Sequence, residues 1–131
     1  MQHSKEARIL LVGKRNSKVK RVERILKKYA PGTEVVLGTA YPTEPFEMDS
    51  FNLIVLTDTL EEKAVSDFMS GVRQLFPGAK VVGIFDEIDP EIEINMRSAG
   101  LIFLGSYEHF IRASGDILKS AFGSKKLSGR R

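Results

Sequence analysis

The chain lacks cysteine altogether. It can therefore form no disulfide bond, no thiolate metal site and no cysteine nucleophile, and this composition suits a reducing compartment. No stretch approaches the roughly 20 apolar residues of a membrane span, and the polar segment 1–8 lacks the apolar core of a signal peptide. We therefore expect no membrane association and take the cytoplasm as the default location.

Catalytic signatures are also scarce. The two histidines, His3 and His109, have no Ser, Cys or Asp at the spacing of a catalytic pair. There is no nucleophile elbow and no metalloprotease motif, and the acidic run at 86–93 lacks the ligand spacing and turn glycine of a calcium loop. We predict a protein that is not an enzyme and that holds neither a metal nor a cofactor.

The charges are unevenly distributed around a formal net charge of +3. Residues 1–28 contain ten Lys or Arg and two acids, residues 29–96 contain three and thirteen, and residues 97–131 contain seven and two. Because these segments differ in sign, we expect surface regions of both charges.

A basic helix is predicted after the first apolar run. Ser17 is its expected N-cap, and Tyr29 belongs to its apolar stripe. Its cations could meet an acidic protein or nucleic acid, but no aromatic residue interleaves with them for base stacking, which disfavours nucleic acid. The simplest interpretation is a solvated helix face, with an acidic protein partner second. The cations singled out are Lys18, Arg21, Arg24 and Lys28.

Five short apolar runs alternate with segments of helical spacing. The runs predict strands at 8–13, 33–38, 52–57, 80–85 and 101–105. Further helices are predicted at 61–76, 90–98 and 107–122. Asp89 is expected to cap the helix that Pro90 starts, whereas two prolines leave 39–51 ambiguous. Continuous apolar strands joined by helices indicate a parallel sheet covered on both faces.

Two segments carry a resemblance to a known family. The sequence FNLIVLTDTL at 51–60 and the sequence SAGLIFLGS at 98–106 resemble the receiver domain of two-component response regulators. The resemblance covers residues 8–122. It implies an α/β, doubly wound, flavodoxin-like domain with a five-stranded parallel sheet in the order 2-1-3-4-5 and helices on both faces. Residues 1–7 and 123–131 would be flexible termini.

The resemblance also implies a phosphorylation pocket, whose residues have changed in this chain. Receivers phosphorylate an aspartate at the end of strand three, next to a divalent cation held by acids after strand one. A hydroxyl after strand four and a lysine after strand five hold the phosphoryl group. The residues at or beside these positions are Gly13 and Lys14 after strand one, Thr57 and Asp58 at strand three, Phe85 and Asp86 after strand four, and Ser106 after strand five.

The replacements predict a degenerate pocket. Lys14 and Arg15 would form its floor and repel Mg²⁺. Thr57 occupies the phosphoacceptor position. A one-residue offset turns a strand side chain to the opposite face, so we expect Asp58 to serve as a turn or capping residue. Phe85 and Ser106 could not hold a phosphoryl group as the family's hydroxyl and lysine do.

We therefore predict a stand-alone pseudo-receiver that acts by protein–protein contact without phosphorylation. Its partner or dimer face would be the helix at 90–98, the strand at 101–105 and the last helix at 107–122, including Phe103, Tyr107 and Arg112. One alternative is a phosphoacceptor that uses Asp58. The other is a domain that binds a small ligand or nucleotide in the crevice at the strand ends. That crevice would be lined by Gly13, Lys14, Thr57, Asp58 and Ser106.

Overall fold

The computed structural model describes residues 8–38, 51–58, 80–98 and 101–122. The ambiguous segment at 39–51 lies almost wholly outside these residues. The predicted helix at 61–76 and both predicted flexible termini also lie outside them.

The described residues form a five-stranded parallel sheet with helices. The strands are β1 (Arg8–Val12), β2 (Glu34–Gly38), β3 (Leu53–Thr57), β4 (Val81–Ile84) and β5 (Phe103–Gly105). The helices are α1 (Ser17–Tyr29), α2 (Pro90–Ser98) and α3 (Tyr107–Phe122). All strand pairs are parallel, in the order β2-β1-β3-β4-β5. The predicted fold class and strand order are confirmed.

The sheet separates two apolar cores. Because successive strand residues point to opposite faces, Leu53 and Val55 of β3 join the larger core, which α1 and α3 cover. Ile54 and Leu56 join the smaller core, to which α2 contributes Met96. Helices therefore lie on both faces of the sheet, and the strands are apolar on both sides because each side is covered.

Helix α1 begins one residue earlier than expected. Its N-cap is Asn16, whose Oδ1 accepts a hydrogen bond from the backbone N–H of Val19 at 2.8 Å. Ser17 is the first helical residue, so its prediction as the cap was wrong. An Asn side chain at this position satisfies one of the unpaired N–H groups of the first turn.

The other two described helices begin as their sequences indicate. Asp89 Oδ1 accepts the backbone N–H of Glu91 at 2.8 Å, and Pro90 is the first residue of α2, which confirms the predicted start. Ser106 Oγ accepts the backbone N–H of His109 at 3.1 Å just before α3. Each contact places a side-chain oxygen where the first turn has unpaired donors.

Tyr29 does not belong to the buried stripe of α1, as had been expected. It is 41% exposed, and the ammonium of Lys28 lies 5.3 Å from the centroid of its ring. Tyr29 is the last residue of α1, and its ring lies beside Gly115 of α3, where an added Cβ would be 3.7 Å from the ring. The ring therefore covers the edge of the helix pair.

The parallel arrangement gathers polar residues at one edge of the sheet. All five strands end at this edge, and helices that return antiparallel to them, such as α1 after β1 and α3 after β5, begin there. None of the described helices is long and apolar enough to span a bilayer.

Candidate functional site

Four polar side chains from separate parts of the fold meet at this edge. Asp58 follows β3, Asp86 follows β4, Lys18 lies in the first turn of α1, and Tyr107 is the first residue of α3. We call these four residues the edge cluster. Its members are far apart in sequence, and Lys18 is 68 residues from Asp86. The cluster therefore ties the ends of two strands to the starts of two helices.

Both carboxylate oxygens of Asp86 accept hydrogen bonds from other members of the edge cluster. Its Oδ2 accepts a hydrogen bond from the Lys18 ammonium at 2.7 Å, and its Oδ1 accepts one from the backbone N–H of Tyr107 at 3.1 Å. These two donors, Lys18 foremost, lower the pKa of the Asp86 carboxyl. The same bond raises the pKa of Lys18. Both groups therefore carry their charges at neutral pH.

Asp58 is held by the same neighbours. Its Oδ2 accepts the backbone N–H of Asp86 at 3.0 Å, and its Oδ1 accepts the hydroxyl of Tyr107 at 3.3 Å. Asp58 lies in the turn after β3, as predicted, and its carboxylate in addition bonds across the sheet edge to β4 and α3. Because Asp58 lies one residue beyond the last residue of β3, its side chain is not confined to the face that pleating would assign to it.

Tyr107 is the buried member of the edge cluster. It is 6% exposed, and its ring packs in the larger core, while the Lys18 ammonium lies 5.0 Å from the ring centroid. Burial, and then the negative charge of Asp58, raise the pKa of its hydroxyl. The prediction that Tyr107 offers a partner surface was wrong, because its ring is covered by the core and its hydroxyl faces Asp58.

Two residues of the predicted pocket lie beneath the edge. Thr57 is fully buried; its Oγ1 donates to the carbonyl of Val12 at 2.9 Å, and it lies close to the Tyr107 hydroxyl. Phe85 is 4% exposed and packs in the smaller core. Neither side chain opens toward solvent at the strand ends.

The loop after β1 does not supply the cation that meets the acidic residues at the strand ends. Gly13 is buried and its N–H donates to the Gly38 carbonyl at 2.9 Å, while Lys14 and Arg15 are exposed. The cation that meets the acids is Lys18, which the sequence analysis had assigned only to the basic helix. Its position in the first turn of a helix that starts at the strand ends is the signal that could have identified it.

The predicted ligand crevice is not assembled as expected. Gly13 and Thr57 are buried, and Ser106 caps α3. The Asp58 carboxylate accepts hydrogen bonds from the backbone N–H of Asp86 and from the hydroxyl of Tyr107. Within the described segments, no group of three or more His, Cys, Asp or Glu residues could hold a metal ion.

The remaining predicted surface residues differ in exposure. Phe103 is half-buried and packs edge-on against Phe110, with ring centroids 6.1 Å apart, and against His109 at 5.4 Å. Arg112 is exposed. The cations of the basic helix are also exposed, and they are Lys18, Arg21, Arg24 and Lys28.

Comparison with known proteins identifies the fold. No protein-family model and no curated protein matches the chain. A putative pilus assembly-related protein of Burkholderia pseudomallei aligns with a TM-score of 0.72 at 15% identity, covering 95% of this chain and 94% of that one. A CheY-like receiver domain of Methanospirillum hungatei aligns with a TM-score of 0.67 at 17% identity, covering 89% and 97%.

A third neighbour is a phosphorylated protein. The cyanobacterial phytochrome response regulator RcpA aligns with a TM-score of 0.69 at 12% identity, covering 95% of this chain and 100% of that one. At such identities, structural likeness establishes the fold. The chain therefore has the fold of response-regulator receiver domains.

Proposed function

We propose that this chain is an atypical receiver domain of signal transduction that works through protein–protein contacts without aspartyl phosphorylation. Several of its structural neighbours are described as signal receiver domains. Others are described as pilus assembly proteins, so the fold is found in proteins of more than one description. The argument about mechanism therefore depends on the edge cluster.

The Lys18–Asp86 ion pair is the observation that carries the proposal. Aspartyl phosphorylation needs a divalent cation, held by oxygen ligands beside the acceptor, to neutralise the incoming phosphoryl oxygens. Here the Lys18 ammonium is already 2.7 Å from Asp86 Oδ2. A metal ion at Asp86 would have to displace this ammonium. Lys18 thus supplies the positive charge that a metal would otherwise supply.

The hydrogen bonds of Asp58 support the same conclusion. Both carboxylate oxygens accept protein donors, so an attack on a phosphodonor would first break one of these bonds. The hydrogen bonds of the edge cluster also join β3, β4, α1 and α3 directly to one another. We therefore expect one stable arrangement of this edge, with signalling through what the surface binds.

The proposed contact face is formed by α2, β5 and α3. Ile94 on α2 is 64% exposed, an unusual exposure for a large apolar side chain. Arg112 is an exposed cation on α3. This face therefore carries an exposed apolar side chain and an exposed cation, a combination that suits a protein partner or a second copy of the chain.

A phosphorylation assay tests the proposal. The purified chain is incubated with acetyl phosphate and Mg²⁺, quenched in acid, and its intact mass is measured, with an active receiver domain treated in parallel. We expect no added phosphoryl mass on the wild-type chain. An adduct that Asp58→Asn abolishes would contradict the proposal.

Such an adduct would favour a phosphoacceptor that uses Asp58. One observation keeps this second candidate in view: Asp58 is half-buried at the end of β3, beside the edge where receivers carry out their chemistry. Lys18→Ala sharpens the comparison, because it removes the cation that competes with Mg²⁺. If Lys18 excludes the metal, this variant binds Mg²⁺ more tightly than the wild-type chain does.

A further inference from the structure

A cleft of about 630 Å³ lies between the first halves of α1 and α3, next to the edge cluster. Arg21 and Val22 of α1 line it on one side, Ile111 and Arg112 of α3 line it on the other, and Asp86 and Tyr107 of the edge cluster line its end. This cleft is distinct from the crevice predicted at the strand ends. It makes use of Arg21, which has no role in the proposed function, and of Arg112, which also lies on the proposed contact face.

The two arginines give the cleft unused hydrogen-bond donors. Within the described parts of the chain, neither Arg21 nor Arg112 has a hydrogen-bond or ion-pair partner, and both are exposed. Lys18, which also lines the cleft, is already neutralised by Asp86. Glu108 lies one helical turn before Arg112 but forms no ion pair with it. The cleft therefore has two available guanidinium groups and one available carboxylate.

Guanidinium groups favour a particular ligand chemistry. Their planar forks match carboxylate and phosphate oxygens and bond them in pairs. The amino ends of α1 and α3 add partial positive charge at the same edge of the sheet. The other cations of α1 attract anions over a longer range. The electrostatics of this region therefore favour an anion.

The apolar walls indicate that the anion has an organic body. Val22 is fully buried behind the cleft and Ile111 is half-buried beside it. A volume of about 630 Å³ falls in the usual range of small-molecule sites, roughly 300–1,000 Å³. An inorganic ion would leave most of this space, and the exposed part of Ile111, without contacts.

We propose that the cleft between α1 and α3 binds a small organic anion, in which an acidic head group meets Arg21 and Arg112 and an apolar body packs against Ile111. This inference does not depend on the proposed function, because it involves neither Asp58 nor phosphoryl transfer. A ligand here would contact both helices at once.

A fluorescent probe with this chemistry tests the proposal on the full-length chain. Anilinonaphthalene sulfonate carries an acidic group on an aromatic body, and phenylnaphthylamine is a similar body without the charge. We expect a saturable rise in fluorescence with the sulfonate and much weaker binding of the uncharged compound. Arg21→Ala and Arg112→Ala should each weaken sulfonate binding by about tenfold, since each removes a charge-assisted contact.

Matched controls separate a site from a general attraction of charge. Arg24→Ala on α1 and Lys119→Ala on α3 remove the same charge from the same helices outside the cleft. At physiological salt, charges outside the cleft are largely screened, so the affinity of each control variant for the sulfonate should stay within about twofold of the wild-type value. Circular dichroism and urea unfolding verify that each variant is folded.

Three results of the probe titrations would overturn the inference. They are the absence of saturable binding, equal losses in the cleft and control variants, and equal affinity for the charged and uncharged probes. Competition then distinguishes the head groups: displacement of the dye by phenyl phosphate or by benzoate supports the site and identifies which acid it prefers. Failure of both compounds to displace the dye also counts against it.

Discussion

Replacing Tyr107 with Phe isolates the hydroxyl that joins α3 to the end of β3. The aromatic ring stays, so the larger core keeps its packing. What is lost is the hydrogen bond to Asp58 Oδ1 at 3.3 Å. Thr57 keeps its bond to the Val12 carbonyl, so the substitution does not leave that hydroxyl unpaired.

The size of the effect follows from the geometry. A hydrogen bond to a charged group contributes about 1.5–3 kcal/mol. The bond here is longer than the usual range of about 2.5–3.0 Å for O–H···O, and Asp58 is only half-buried, so water can replace part of it. We therefore expect Tyr107→Phe to lower the free energy of unfolding by about 1–2 kcal/mol. For a chain of this length, that corresponds to a drop in Tm of about 4–7 °C.

Urea unfolding followed by circular dichroism measures this loss, and Tyr29→Phe is the matched control. Tyr29 is exposed and its hydroxyl has no partner among the described residues, so its replacement should change stability by less than about 0.5 kcal/mol. A double-mutant cycle with Asp58→Ala should give a coupling of about 0.5–1.5 kcal/mol. Equal effects of the two Tyr→Phe changes, or zero coupling, would refute the assignment of this hydrogen bond.

Two further predictions concern the cap of α1 and the Asp86 carboxyl. Asn16→Ala should destabilise the chain by about 1 kcal/mol, whereas Ser17→Ala should cost less than about 0.5 kcal/mol, as measured by urea unfolding; the reverse order would restore Ser17 as the cap. Because the pKa of Asp86 is lowered below its ordinary value of 3.8, its contribution is present above that pH and is lost as the pH falls through the folded value. In the Asp86→Asn variant, the free energy of unfolding should therefore fall less between about pH 5 and pH 2 than it does in the wild-type chain. Glu87→Gln is the control, and parallel pH profiles for the two variants would contradict this prediction.

The arrangement of strands and helices could be predicted from the sequence because it depends on local patterns. An apolar run such as 53–57 must be buried on both faces, and this requires helices on either side of a parallel sheet. The bounds were less accurate: β5 begins at Phe103, two residues after the predicted start. Hydrogen bonding between strands decides where a strand ends, and the sequence of a single strand does not reveal its neighbour.

The edge cluster could not be predicted in the same way. Thr57 and Asp58 were correctly recognised as the residues at the end of β3. The direction of the Asp58 side chain, however, was predicted from the alternation of side chains along a strand, and Asp58 lies one residue beyond the last residue of β3. Tyr107 was assigned to the surface because no local signal revealed that its ring enters the core. Lys18 was interpreted only as one cation among many on a basic helix.

The sequence by itself determined the class of fold, since the pattern of apolar residues is a local property. Continuous apolar strands that alternate with amphipathic helices can be buried only in a sheet covered by helices. The tertiary structure alone decided which charges meet. Asp58 and Asp86 are 28 residues apart, and Lys18, in α1, precedes Asp86 by 68 residues. They become neighbours because parallel strands end, and the helices α1 and α3 begin, at one edge of the sheet.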